Sequence, residues 1–230
     1  MSKKIVLILS GGMDSTTLLY QLLTEGNQVA ALTFDYGQKH KKEIQSAQST
    51  IEKVKSLTFS GKLLEHKIAD ISSINNLIGN SALTGSDIDI PEGHYADENM
   101  KLTVVPNRNM IFLSLAIGYA VNIGAHAVSY AAHSGDHTIY PDCRPEFVDK
   151  LRQVSLIANY EAIDIHTPFL YNNKSEILKM GLSLNPVVDY SLTWTCYRGE
   201  ALACGKCGAC VERLEAFSLN RTRDPLPYQK

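Results

Sequence analysis

Leu9-Ser10-Gly11-Gly12-Met13-Asp14-Ser15-Thr16-Thr17-Leu18-Leu19 follows directly on the apolar run Lys4-Ile5-Val6-Leu7-Ile8. The order reads as a strand (Lys4–Leu9), a Gly-Gly turn and a helix (Ser15–Glu25). In that layout a helix N-terminus and free backbone N–H groups face an anion. Gly11 and Gly12 carry no Cβ, so the backbone can approach a phosphate closely. Ser10, Ser15 and Thr16 add hydroxyl donors. Asp14 is the discordant member, because a carboxylate repels phosphates unless Mg²⁺ bridges the two. The spacing is not that of a Walker A loop, since no lysine follows the glycines. The stretch therefore predicts a site for a nucleoside triphosphate and a divalent metal.

Outward from this motif, strands and helices alternate. Strands are expected at Gln28–Phe34, Lys62–Ala69, His126–Ala131 and Ala162–His166. Helices are expected at His40–Val54, Asn109–Ile123, Pro145–Asn159, Lys174–Met180 (stopped by Gly181) and Cys210–Leu219. This β-α order implies an α/β fold with a parallel sheet and helices on both faces. Ligands of such sheets sit beyond the C-terminal strand ends. Ser10–Ser15, Asp35–Gln38 and Ala132–Arg144 all fall there. Gly79–Pro106 lacks periodicity and reads as a lid or a dimer-contact loop.

The 230 residues carry a formal net charge of −2, with 44% hydrophobic and 20% charged residues. That composition suits a globular protein with a sizeable core and gives no global attraction to nucleic acid or an anionic membrane. No signal peptide is evident, and no window approaches the roughly 18 apolar residues of a membrane span. The expectation is a cytoplasmic protein with no membrane and no direct nucleic-acid partner.

Cys196, Cys204, Cys207 and Cys210 crowd together, with Gly199, Gly205 and Gly208 between them, while Cys143 stands apart. Four thiolates at this spacing suit a structural, tetrahedral Zn²⁺; an iron–sulfur cluster is the rival reading. Arg108, at the start of a helix, opposes the macrodipole and reads equally as an anion partner or a surface arginine. Lys174 poses the same choice. Asp136 or Asp142 could accept from a heterocycle N–H, and Arg144 could clamp a carboxylate. His133 and His137 read as hydrogen-bonding groups or as metal ligands.

These strings also carry a resemblance. LSGGMDSTTLL resembles the PP-loop of the ATP-pyrophosphatase group. DYGQKHKKEI, VPNRNMIFLSLA, IYPDCRPEFV, TPFLYNNKSEI and TWTC…CGKCGAC resemble, in the same order, the 7-cyano-7-deazaguanine synthase family of the queuosine pathway. The likeness spans residues 4 to about 217. It implies a Rossmann-like (adenine nucleotide alpha hydrolase-like) fold, with a nucleotide-binding unit over residues 1–190 and a zinc-binding segment over 191–230 packed on it. It implies conversion of 7-carboxy-7-deazaguanine and ammonia to the nitrile with ATP as co-substrate, through an adenylated acid and an amide. A related PP-loop enzyme that stops at the amide, or activates another carboxyl group, is the alternative. One structural Zn²⁺ per subunit, Mg²⁺ and a homodimer are further implications. On this reading Asp14, Ser15, Arg108 and Lys174 are catalytic. Leu9, Ser10, Gly11, Gly12, Met13, Asp14, Ser15, Thr16, Thr17, Leu18, Leu19, Tyr36 and Gln38 bind nucleotide. Arg108, Asp136, Tyr140, Asp142 and Arg144 bind the deazaguanine, and Cys196, Cys204, Cys207 and Cys210 bind zinc. Three departures stand out: Met13 sits where many members carry a polar residue, Asn107 replaces the more usual glycine in the VPGRN string, and AAHSGDHTIYPDC differs from the expected ETDFSGYPDC form.

Overall fold

β1 (Lys4–Ile8) lies at the centre of one parallel sheet of order β3-β2-β1-β4-β5, with β2 (Gln28–Asp35), β3 (Lys62–Asp70), β4 (Ala127–Ser129) and β5 (Asp164–His166). The computed structural model describes residues 2–39, 41–79, 81–85, 88–94 and 98–229. β1 is apolar on both faces because it is covered on both. Val6 packs with Leu113, Val128 and Val148 on one side. Ile5, Leu7 and Leu9 pack with Leu19, Ile51 and Ile177 on the other. The first face is covered by α4 (Arg108–Ile123) and α5 (Pro145–Ser155). The second is covered by α1 (Met13–Thr24), α2 (Lys42–Lys55) and α6 (Lys174–Ser183). The short α3 (Asn75–Ile78) follows β3, and α7 (Gly208–Leu219) reaches both apolar clusters.

The chain runs outward from β1 to β3, then returns to place β4 on the other side of β1. That reversal opens a crevice beyond the C-terminal ends of β1 and β4. The Ser10–Ser15 turn and the loop after β4 both lie there.

Element bounds differ from expectation in informative ways. α1 begins at Met13, inside the motif. α6 does not stop at Gly181 but runs to Ser183. A Cβ at Gly181 would sit 1.9 Å from the Tyr190 hydroxyl, so this glycine admits a close neighbour rather than ending a helix. α5 ends at Ser155, short of Asn159, and the Ser155 hydroxyl donates to Ile163 O at 2.8 Å. α4 ends as expected at Gly124, which takes φ +62°. The start expected for α2, His40, lies outside the described residues. So do Asn80, Ser86, Asp87 and Tyr95–Asp97 of the 79–106 segment. The described part of that segment is not a free loop. Glu92 bridges to Cys207, Gly93 N–H donates to Lys206 O at 3.0 Å, and Glu98–Thr103 forms a 3₁₀ helix.

One expectation about membranes needs correction. Asn99–Ile123 is long and apolar enough, by length and composition, to span a bilayer. It is interrupted at Pro106 and Asn107, and α4 packs Leu113, Ala116, Ile117 and Ala120 against the sheet.

Candidate active site

The turn after β1 is organised by its own hydroxyls. Ser10 Oγ lies 3.0 Å from Ser15 Oγ and accepts from Gly12 N–H at 3.2 Å, while Ser10 N–H donates to Ser15 Oγ at 3.2 Å. The first intrahelical bond of α1 is Thr16 N–H to Gly12 O, at 3.1 Å. The N–H groups of Met13, Asp14 and Ser15 thus precede any helical acceptor, and no side chain caps them. Gly11, at φ +87°, is held against α2: a Cβ there would lie 2.1 Å from Glu43 O. Gly11 O in turn accepts from Trp194 N–H at 2.9 Å, so the segment leading to Cys196 braces the turn.

A cavity of about 220 Å³ opens from this turn. Ser10, Gly12, Met13, Asp14, Ser15, Tyr36, Arg108, Asp136 and Lys174 of the sequence-predicted residues line it. The others stand behind it. Leu9, Thr16, Thr17, Leu18 and Leu19 are buried in the second apolar cluster or beside it. Gln38 holds the β2 turn, accepting from Tyr36 N–H at 3.0 Å. The Tyr140 hydroxyl is 2.8 Å from Thr103 Oγ1 and 3.1 Å from the Tyr197 hydroxyl. Asp142 Oδ2 accepts from Asn109 N–H at 3.0 Å and so caps α4 from another loop. Arg144 is exposed and donates to His137 O at 2.8 Å, stapling the loop after β4.

Lys174, at the first turn of α6, is 5% exposed. Its ammonium lies 2.6 Å from Glu212 Oε2 and 3.4 Å from Asp14 Oδ2. Burial works against this charge, but Asp14, Glu212 and Asp136 outweigh that cost and raise the Lys174 pKa well above the ordinary range. Asn173 and Glu176 form a capping box that fixes this end of α6, with Glu176 N–H to Asn173 Oδ1 at 3.0 Å and Asn173 N–H to Glu176 Oε2 at 2.9 Å. His133 is 1% exposed, with Nε2 at 3.6 Å from Asp14 Oδ2 and 3.5 Å from Asp136 Oδ2. Its Nδ1 accepts from Gly135 N–H at 3.1 Å, which assigns the ring proton to Nε2. Burial pushes the Asp136 carboxyl up, opposed by His133 and Lys174. Three carboxylates thus face one ammonium, and Asp14 Oδ1 is buried with no hydrogen-bond partner among the described residues. This donor set fits a hard divalent cation with oxygen ligands.

Arg108 is half-buried, 6.0 Å from the Tyr36 ring centroid, beside Tyr140, Tyr197 and Asp142. The residue before it, Asn107, takes φ +60°. Glycine suits that conformation best, and asparagine is among the side chains that tolerate it, which accounts for the substitution in this string.

Cys196, Cys204, Cys207 and Cys210 are all buried, and their Sγ atoms lie within 4.8 Å of one another. Cys204 and Cys210 Sγ are 3.9 Å apart. Four sulfurs at ~2.3 Å from a common Zn²⁺ in a tetrahedron would be about 3.8 Å apart. Backbone N–H groups of Cys204, Lys206 and Cys207 donate to sulfur at 3.3, 3.4 and 3.3 Å, which favours thiolates. Cys143 lies apart, at the cavity wall.

Sequence reasoning missed Glu212, Trp194, Thr195 and Tyr197. All four flank the cysteines, whose spacing absorbed the reading of that segment. Glu212 lies on α7, two residues past Cys210, so the helix that completes the cysteine cluster also delivers a carboxylate to Lys174.

The profile of a family described as queuosine biosynthesis protein QueC matches residues 4–221. A 7-cyano-7-deazaguanine synthase of Psychromonas ingrahamii is 58% identical over 229 residues, covering 100% of this chain and 99% of the relative. One of Pseudoalteromonas atlantica is 58% identical, covering 100% of both. A solved 4-thiouridine synthetase–RNA complex with bound ATP aligns with a TM-score of 0.49 at 18% identity, covering 93% of this chain and 50% of that one.

Proposed function

The chain belongs to the QueC family of queuosine biosynthesis proteins, and from that premise we propose that its cleft turns 7-carboxy-7-deazaguanine, ammonia and ATP into 7-cyano-7-deazaguanine. The observation that carries this reading is the meeting of the Ser10–Ser15 turn, Lys174, Arg108 and Asp136 on one cavity at the switch point of the sheet. A carboxylate is a poor acyl donor, so its oxygen must become a leaving group. The substrate carboxylate attacks the α-phosphorus of ATP and pyrophosphate departs. Ammonia then displaces AMP to give the amide. A second activation of the amide oxygen by ATP, with pyrophosphate departing, followed by loss of AMP and of both amide protons, leaves the nitrile.

The open N–H groups at the start of α1 and the Lys174 ammonium are placed to bind the phosphates and the departing pyrophosphate. Arg108, walled by aromatic rings, is placed to bind the substrate carboxylate. Asp14, with Glu212 near, would hold Mg²⁺, which supplies charge neutralisation between the phosphates. Positioning and electrostatics suffice for such a reaction, with no nucleophilic side chain. The four cysteines would hold Zn²⁺ in a closed, structural site. A reducing cytoplasm, which keeps thiols free and supplies ATP, is the compartment this chemistry suits.

We assign the exposed face of α4 to a second copy of the chain. Met110, Ser114, Leu115 and Gly118 are exposed, and nothing lies within 4 Å of a Cβ built on Gly118. Small residues between larger apolar ones allow two such helices to cross closely.

The test is incubation of pure protein with the ring acid, ATP, Mg²⁺ and ammonium, with products weighed by mass spectrometry. Accumulation of the nitrile is expected. An amide end product would favour the truncated reaction, and recovery of the untouched acid would refute the assignment.

A further inference from the structure

Two buried polar atoms on the cavity wall have no hydrogen-bond partner among the described residues: Asp14 Oδ1 and the hydroxyl of Tyr130. The first is accounted for above, and the second is not. Tyr130 directly follows β4, is 6% exposed, and is anchored by its N–H to His166 O at 3.2 Å. Its ring belongs to the first apolar cluster and lines the same cavity as Arg108, Asn109, Asp136 and Cys143. A buried phenol with nothing to bind is a cost to the fold that phenylalanine would avoid. Burial, with Cys143, Asp142 and Asp136 adding to it, pushes the phenol pKa up, so the group is an O–H donor at neutral pH.

We propose that the Tyr130 hydroxyl donates a hydrogen bond to the lactam carbonyl of a guanine-like ring seated in this cavity, while Asp136 accepts from the adjoining ring N–H. This deepens the reading above and rests on it. A guanine-type edge presents an acceptor oxygen next to N–H donors, which is the complement of a phenol beside a carboxylate. An adenine edge presents an amino donor next to a ring-nitrogen acceptor, the reverse order. The Tyr130–Asp136 pair therefore selects the ring acid and rejects the base of the co-substrate from this end of the cleft.

Tyr130→Phe is the test, because it removes one oxygen and keeps the ring. The KM for 7-carboxy-7-deazaguanine should rise about tenfold, the KM for ATP should stay within twofold, and the Tm should be unchanged or higher. An analogue of the acid lacking the lactam oxygen should be used equally well by both proteins. A variant whose KM for the acid stays within twofold of wild type, or one that still discriminates against that analogue as wild type does, overturns the proposal. Binding of the acid to the wild-type protein without ATP, followed by calorimetry, is the control for the parent reading. A wild type that neither binds nor consumes the acid refutes the parent reading, whereas equal binding by both proteins refutes only the role of Tyr130.

Discussion

Asp14 shows how a single residue can conflict with its surroundings until its ligand is considered. It opens the helix after the Gly-Gly turn, faces Lys174 and His133, and leaves one oxygen buried with no hydrogen-bond partner among the described residues. Asp14→Ala should reduce turnover at least a hundredfold, on the scale of lost charge stabilisation at a reacting phosphate, while a zinc assay still finds one equivalent per chain. Full activity in that variant would remove Asp14 from metal anchoring. Asn107 is the complementary case, a residue chosen for its backbone. At φ +60°, Asn107→Gly should leave the melting temperature within a degree or two of wild type or raise it. Asn107→Val should lose about 1–2 kcal/mol in a denaturant titration, because a β-branched side chain is strained there. The sequence made both residues visible, one by its chemistry and the other by its departure from a familiar string. It could not reveal Glu212 or Tyr130. Each lies in a segment with another evident explanation, a cysteine knuckle or a buried strand, and its importance depends on distances across the fold.

At the scale of elements, strands and helices were legible because their apolar periods are strong, and the Ser10–Ser15 turn lay where a buried strand gives way to Gly-Gly. The bounds were not. α6 passes through Gly181 because Tyr190 occupies the space a side chain would need, and no local signal distinguishes such a glycine from a helix stop. The segment from Trp194 to α7 connects two sites that read as separate in the sequence. Trp194 N–H holds Gly11 O, Arg213 forks onto Asp224 at 2.7 and 2.9 Å while also donating to Thr193 Oγ1 at 2.7 Å, and Glu212 reaches Lys174. Loss of the metal should therefore be felt at the nucleotide. Cys207→Ser is expected to release the metal and to destabilise the fold by on the order of 4 kcal/mol, as loss of a structural metal does. Partial chelation of the wild type should raise the KM for ATP before the far-UV circular dichroism changes. An ATP affinity indifferent to metal content would separate the two sites.

For the whole molecule, the parallel order β3-β2-β1-β4-β5 opens the crevice beyond β1 and β4, and the exposed side of α4 is the face proposed for a second copy. Leu115→Glu places a charge in that apolar face. Sedimentation velocity should find the wild type as a dimer and this variant as a monomer of 25.4 kDa; a variant that still sediments as a dimer would move the interface elsewhere. α4 has a second office. Its first turn supplies Arg108, Asn109 and Phe112 to the cavity, and its later turns present Ser114, Leu115 and Gly118 outward. In the proposed dimer, one rigid rod touches a cleft at one end and a neighbour along its flank, so a ligand that tilts it in one protomer is felt in the other. The two clefts should then fill unequally, with a Hill coefficient for the ring acid that departs from one in the wild type and returns to one once Leu115→Glu parts the pair.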